Sequence, residues 1–290
     1  MGWELARKEG RIGTGNWDAF PHECLEVVHK ATAEWKDILK QCEKAWLCWN
    51  IDTSWCLVQQ KMILDAGWTP VVGWDPNCPP QSLEILDGAI LVDFNHHFSF
   101  PVMWMHFPLE FAFLWIPSKL AFWHSDLLVR PSKFEHLVKM FDSLKAGEMA
   151  AVFSFGGYRN FFNYRSHRYW ELIGCTTREA SRHQFEHGCG WWRHFHKHPN
   201  TPIVEKEERS KYYYEHGVGI AYWKKKYKRR VVDIKESYIK EGHCTEIGHK
   251  NYKKARHKGE ELRLNYDLRS VLKSLSLHDY LEFAQNDLRH

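Results

Sequence analysis

Apolar positions along the chain fall into short compact runs separated by stripes at helical spacing, the mark of strands interleaved with helices. Leu25, Val28, Ala31, Trp35, Ile38, Leu39 and Cys42 form one such stripe and predict an amphipathic helix over 23–43. Ala45-Trp-Leu-Cys-Trp-Asn-Ile-Asp52 is a compact apolar run, read as a buried strand ending on a carboxylate. Thr53 and Ser54 suit the N-cap of a helix over 55–66, which Gly67 closes. Thr69 to Trp74 reads as a second strand, closed by the Pro-rich loop 75–80. Strand, helix and strand with short connections make a βαβ unit, which implies parallel pairing.

Further strands are predicted over 89–93, 120–126 and 149–155, with helices over 109–116 and 131–142. Beyond Gly157 the pattern weakens. A helix over 168–182, a loop over 184–200 rich in Gly, Trp and His, and a strand within 215–223 are the expectations there. A terminal helix is predicted over 268–284. The fold class is α/β, a Rossmann-like mixed and mostly parallel sheet flanked by helices. Helical extensions over 1–43 and 256–290 bracket a central unit over 44–255.

Composition narrows the picture. With 290 residues, 44% hydrophobic and 26% charged, the chain buries a proper core. Forty Lys and Arg against 36 Asp and Glu leave a charge of +4, too mild for a nucleic-acid binder, and none is expected as partner. The eight Cys include no C-x-x-C pair, and the first residues carry no apolar signal core. Reduced, buried thiols and a cytoplasmic location are the expectations. The most apolar stretch, 98–123, is interrupted by Pro101, Pro108, Glu110, Pro117 and Lys119, so no spanning helix is predicted. The surplus lies in 15 Trp and 19 His, which supply stacking faces and nitrogen ligands. Trp46, Trp49, Trp55, Trp68 and Trp115 sit in apolar runs and are assigned to the core.

Open α/β sheets bind ligands at the carboxyl ends of their strands, which puts weight on Asp52, Asp75 and Asp126. In Phe122-Trp-His-Ser-Asp126 a period of two sends His124 and Asp126 to one face of a strand. Oxygen and imidazole there suit a divalent cation with positions left for phosphate oxygens. The alternative is a capping Asp126 and a satisfied core histidine. The segment 241–249 holds His243, a candidate to complete the cation site, or a solvated loop. In 185–198, Glu186 and His187 lie near the aromatic pair Trp191 and Trp192, the setting of a general base beside a sugar-stacking platform. His194, His196 and His198 alternate, which on a strand would suggest zinc. Lys224 to Arg230 is a basic run, read as a solvated face or as a peripheral contact with an acidic membrane surface.

The order of these features resembles GT-A-type glycosyltransferases, and the phrase Lys119-Leu-Ala-Phe-Trp-His-Ser-Asp126 carries most of the likeness. His124-Ser125-Asp126 stands where that family has its Asp-x-Asp metal motif, with His124 in place of the first Asp. The resemblance implies a nucleotide-binding part over 44–157, where Asn50, Asp52, Trp74 and Asp75 would hold the nucleoside. It implies an acceptor part over 158–255, with Glu186 as base in an inverting enzyme, and His243 as a late metal ligand beside His124 and Asp126. The implied activity is transfer of a sugar from a nucleoside-diphosphate-sugar donor to a hydroxyl of a glycan or glycolipid acceptor, assisted by Mn²⁺ or Mg²⁺. Two other classes stay open: a zinc-dependent hydrolase or nuclease using the loop 187–198, and a non-catalytic carbohydrate-binding protein.

Overall fold

Alternation of side chains decides the architecture. Trp46 and Cys48 face one side of their strand and Leu47 and Trp49 the other, and all four are buried, so both faces of the sheet must be covered. The structure is a computed structural model and describes residues 25–74, 84–98, 105–154, 164–192, 194–213, 215–244 and 266–287. The strands are β1 (Lys44–Asn50), β2 (Thr69–Trp74), β3 (Ile90–Leu91), β4 (Lys119–Trp123), β5 (Met149–Ser154), β6 (Arg168–Thr177) and β7 (Val231–Ile234). They form one sheet in the order β3-β2-β1-β4-β6-β5-β7. Pairing is parallel between β3, β2, β1 and β4 and between β5 and β7, whereas β6 runs antiparallel to both of its neighbours. A mixed, mostly parallel sheet flanked by helices is the observed class.

Helices in chain order are α1 (Leu25–Ile38), α2 (Thr53–Asp65), α3 (His106–Glu110), α4 (Ala112–Trp115), α5 (Pro131–Ser143), α6 (Arg178–Glu186), α7 (Lys206–Ser210), α8 (Val218–Lys226), α9 (Leu268–Ser274) and α10 (His278–Asp287). The apolar side chains of α1, α3, α4 and α8 join Leu47, Trp49, Leu120 and Phe122 on one face. Those of α2, α5 and α9 join Trp46, Cys48, Ala121 and Trp123 on the other. Helix α1 shows why this stripe folds as it does: Val28, Ala31, Thr32 and Trp35 are its buried residues, spaced three or four apart. Trp35 meets Phe94 at 4.8 Å and Trp115 at 6.2 Å between ring centroids, both edge-on. The Trp residues assigned to the core, at 46, 49, 55, 68 and 115, are all buried there. So are the free thiols of Cys42, Cys48, Cys56, Cys175, Cys189 and Cys244. Among the described residues no helix is long and apolar enough to cross a membrane.

Four expectations are corrected. Residues 168–177 form β6 instead of the start of a helix: Tyr169, Trp170, Leu172 and Ile173 are aromatic or bulky aliphatic, and pairing with strands on both edges overrides the helix-like spacing of the polar residues. The segment 218–226 is a helix and no strand: burial runs through adjacent residues, Val218 to Ile220 and Tyr222 with Trp223, which the alternation of a half-exposed strand cannot achieve. The terminal helix is two helices, broken where Ser276 takes φ +59°. Finally, β4 ends at Trp123, so His124 and Asp126 sit in the turn after the strand and no longer share a face by strand period.

Candidate metal centre

The chain runs from β1 outward through β2 and β3, then returns to the other side of β1 as β4. This reversal makes the crevice at the carboxyl ends of β1 and β4 the switch point where doubly wound sheets bind ligands. Asn50 ends β1, and His124, Ser125 and Asp126 follow β4 directly.

A buried glutamine shapes the turn after β4. Gln59, in α2 and fully buried, donates both amide hydrogens, to the carbonyls of His124 and Leu127, each at 2.8 Å. A second clamp brings in the distant segment at 242–244. Leu128 N–H donates to Gly242 O at 3.0 Å and Cys244 N–H to Asp126 O at 3.0 Å, and Leu127 and His243 form an isolated antiparallel bridge. Gly242 is required for that approach, because a Cβ there would collide with the Leu128 carbonyl.

These clamps gather three ligand atoms. His243 Nε2 lies 3.4 Å from Asp126 Oδ1, and His124 Nδ1 lies 3.6 Å from the same oxygen. All three donors fall within 4.8 Å of one another. Donors at about 2.1 Å from a tetrahedral cation sit roughly 3.4 Å apart, so the spacing fits a small divalent ion. Asp126 is 7% exposed, and its Oδ1 makes no hydrogen bond among the described residues beyond these longer approaches. An ion would supply the partner that such a buried oxygen lacks.

Glu171 completes the surroundings. Its Oε1 lies 3.5 Å from His124 Nε2 and 3.0 Å from His106 Nε2, and its Oε2 is buried without a hydrogen bond among the described residues. The pairing of β5 with β6 shifts register between Ala151 and Val152, beside Glu171. Such irregularities re-aim side chains next to sites. His106 in turn stacks on His216, at 3.9 Å between ring centroids. Burial opposes charge on all three central groups, and opposite charge outweighs it. His124 is pushed up to about 10 by Asp126 and Glu171. Asp126 is held below the ordinary carboxyl range by His124 and His243, and Glu171 by His106 and His124.

The residues assigned from sequence divide. His124, Asp126 and His243 are brought together as expected. Asn50 is buried at the end of β1 with Oδ1 unpaired among the described residues. Asp52 caps α2, accepting from Ser54 N–H at 3.1 Å. Trp74 ends β2 opposite Asn50, its carbonyl accepting from Asn95 Nδ2 at 3.0 Å. Asp75 lies outside the described residues.

The expectations for 185–198 are corrected. Trp191 and Trp192 are buried, at 1% and 2% exposure, so neither offers an open stacking face. Trp191 lies edge-on to Phe122, 5.2 Å away between centroids. Buried Glu110 pins this loop by accepting from Trp191 and Trp192 N–H at 2.5 and 3.2 Å. A Cβ at Gly190 would strike that carboxylate. Glu186 is exposed at the C-terminal end of α6, whose N-terminal end lies beside Lys119, at the other end of β4 from Asp126. His187 stacks face to face on His183 at 4.0 Å. Neither belongs to the Asp126 cluster, and the expected acid–base couple is not assembled there. His194 lies in a turn, His196 in a 3₁₀ helix and His198 at that helix's C-cap, and no strand places them on one face.

Sequence reasoning missed Glu171, His106, His216 and Gln59. A single carboxylate inside the apolar run Tyr169-Trp-Glu-Leu-Ile173 was the available signal for the first. Nothing comparable marked the other three. No protein-family model, curated protein or solved structure matches this chain.

Proposed function

We propose that the protein is a metal-assisted glycosyltransferase of GT-A type, taking a nucleoside-diphosphate sugar and transferring the sugar to a hydroxyl of a glycan or glycolipid. The observation that carries this reading is the convergence of His124, Asp126 and His243 at the carboxyl end of β4, beside Asn50 at the end of β1. The switch-point crevice suits a nucleotide, and Asn50 Oδ1 offers it a buried acceptor for a base or ribose donor. His124, Asp126 and His243 would hold Mn²⁺ or Mg²⁺, which when bound supplies positive charge to a diphosphate leaving group. Glu171 orients His124 by taking its second ring nitrogen, and Gln59 fixes the turn that carries both ligands.

The test is thermal. Nucleoside diphosphate with Mn²⁺ is expected to raise the melting temperature, and Asp126→Ala to abolish that rise. No shift with any of the common nucleoside diphosphates would overturn the reading.

A second reading, a zinc-dependent hydrolase, draws on the donor set itself, since two imidazoles and one carboxylate also suit zinc with an open position. It moves the hydrolase from the loop 187–198 to the Asp126 cluster. One zinc per chain in the purified protein, with phosphodiester cleavage in the absence of any sugar donor, would favour it over transfer.

A further inference from the structure

A cavity of about 400 Å³ lies between β5, β6 and α8, apart from the Asp126 cluster. Its walls are unusual in two respects. Phe153 and Tyr164 supply aromatic faces, buried Tyr169 and Tyr222 close it from within, and Lys224, Lys225 and Lys228 supply ammonium groups, while no carboxylate is among its described lining residues. Lys224 is neutralised from behind, donating to Asp233 at 2.8 Å and to Tyr169 Oη at 2.7 Å. Lys225 and Lys228 are exposed, and neither pairs with a carboxylate among the described residues. Lys225 Nζ sits 3.8 Å from the centre of the Tyr164 ring, over its face.

Lys228 carries an independent mark. It follows α8 at φ +54°, a left-handed position that favours glycine at a helix end. A lysine there costs stability and places an ammonium group at the cavity, the pattern of strain kept for function.

Aromatic walls take the apolar faces of rings, and unpaired ammonium groups take anions. We infer that this cavity binds a saccharide bearing an anionic group: phosphate, sulfate or carboxylate. On the proposed glycosyltransferase reading, on which this role rests, the ligand is the acceptor. Tyr169 lies two residues from Glu171 on β6, which puts the cavity next to the candidate centre along the same strand.

Calorimetric titration of the full chain, without nucleotide or metal, tests the site separately from the nucleotide-dependent thermal shift that tests the transferase. The probes are glucose 6-phosphate, glucose 6-sulfate, glucuronate, glucose and inorganic phosphate. At least one charged sugar is expected to bind tenfold or more tighter than both glucose and inorganic phosphate, and the three charged sugars together identify the anion. Combined Lys225→Gln and Lys228→Gln should weaken the best ligand at least fivefold. Lys228→Gly should weaken it while raising the melting temperature, a pairing that a purely structural lysine cannot give. Glucose or inorganic phosphate binding as tightly as every charged sugar, no binding by any charged sugar, or unchanged affinity in the double variant would each overturn the inference.

Discussion

Glu171 Oε1 lies 3.5 Å from His124 Nε2 and so occupies the ring nitrogen that faces away from Asp126. A carboxylate behind a ligating imidazole fixes its tautomer and orientation and raises its basicity. Glu171→Gln keeps the shape and removes the charge. It is expected to weaken Mn²⁺ binding by about 10–100-fold, the usual cost of losing such a partner. Calorimetric titration of Mn²⁺ into wild type and variant measures this, and equal affinities would show Glu171 to be a bystander.

Gly242 brings His243 to Asp126 by passing directly against the Leu128 carbonyl. In Gly242→Ala the backbone must move, breaking the hydrogen bonds that join 242–244 to 126–128. A loss of about 2 kcal/mol in stability is expected, within the range for strain and broken hydrogen bonds in one place. Mn²⁺ affinity should fall with it, by at least tenfold on the scale of a displaced metal partner. Urea unfolding and calorimetry on the same samples give both numbers.

Gln59 holds the same turn from α2. In Gln59→Leu, the Leu127 carbonyl loses its donor, while the His124 carbonyl keeps Leu127 N–H at 3.2 Å. One buried carbonyl left unsatisfied costs about 1–3 kcal/mol, so a loss of about 2 kcal/mol is expected. A variant with wild-type stability and wild-type Mn²⁺ affinity would mean that water replaces the amide at no cost.

The sheet was legible because its strands are short, apolar and bounded by turns, and the parallel pairing of β1 with β2 followed from one βαβ unit. His124, Asp126 and His243 were legible as residue types placed after a strand and in a loop. Their geometry was not. His243 reaches Asp126 through backbone bonds made possible by a glycine, a long-range fact with no local periodicity. Strand β6 was misread for the related reason that its partners on both edges, and not its own spacing, decide its conformation. Trp191 and Trp192 looked like a platform because two aromatic rings stand side by side near Glu186, yet Gly190 makes room for Glu110 below them and the loop folds inward. Adjacent apolar rings in a glycine-rich segment mark core as readily as surface.

Glu205 gives the chain an acid-sensitive joint. Burial raises its carboxyl, but hydrogen bonds from Arg209, at 2.7 Å, and Tyr222, at 2.9 Å, outweigh burial and hold it below its ordinary value of 4.5. Arg209 is fully buried and also donates to the carbonyls of His187 and Gly188, at 2.9 and 2.8 Å. A group whose folded pKa is depressed contributes stability above its unfolded value, and that contribution is lost as pH falls through the folded value. The Glu205 contribution should therefore be full between pH 6 and 8 and decline below about pH 4.5 as Glu205 takes up its proton. Glu205→Gln leaves a buried guanidinium without its counter-charge and is expected to cost about 2–3 kcal/mol at neutral pH, somewhat less than for a fully buried pair. Asp126 and Glu171, also depressed, add an acid slope of the same sign to both proteins, so the difference between them isolates Glu205. Urea unfolding at pH 7, 5, 4 and 3 should show the gap between wild type and variant closing on the acid side. A gap that stays constant over that range would place the stabilising role of Glu205 in packing and not in its charge.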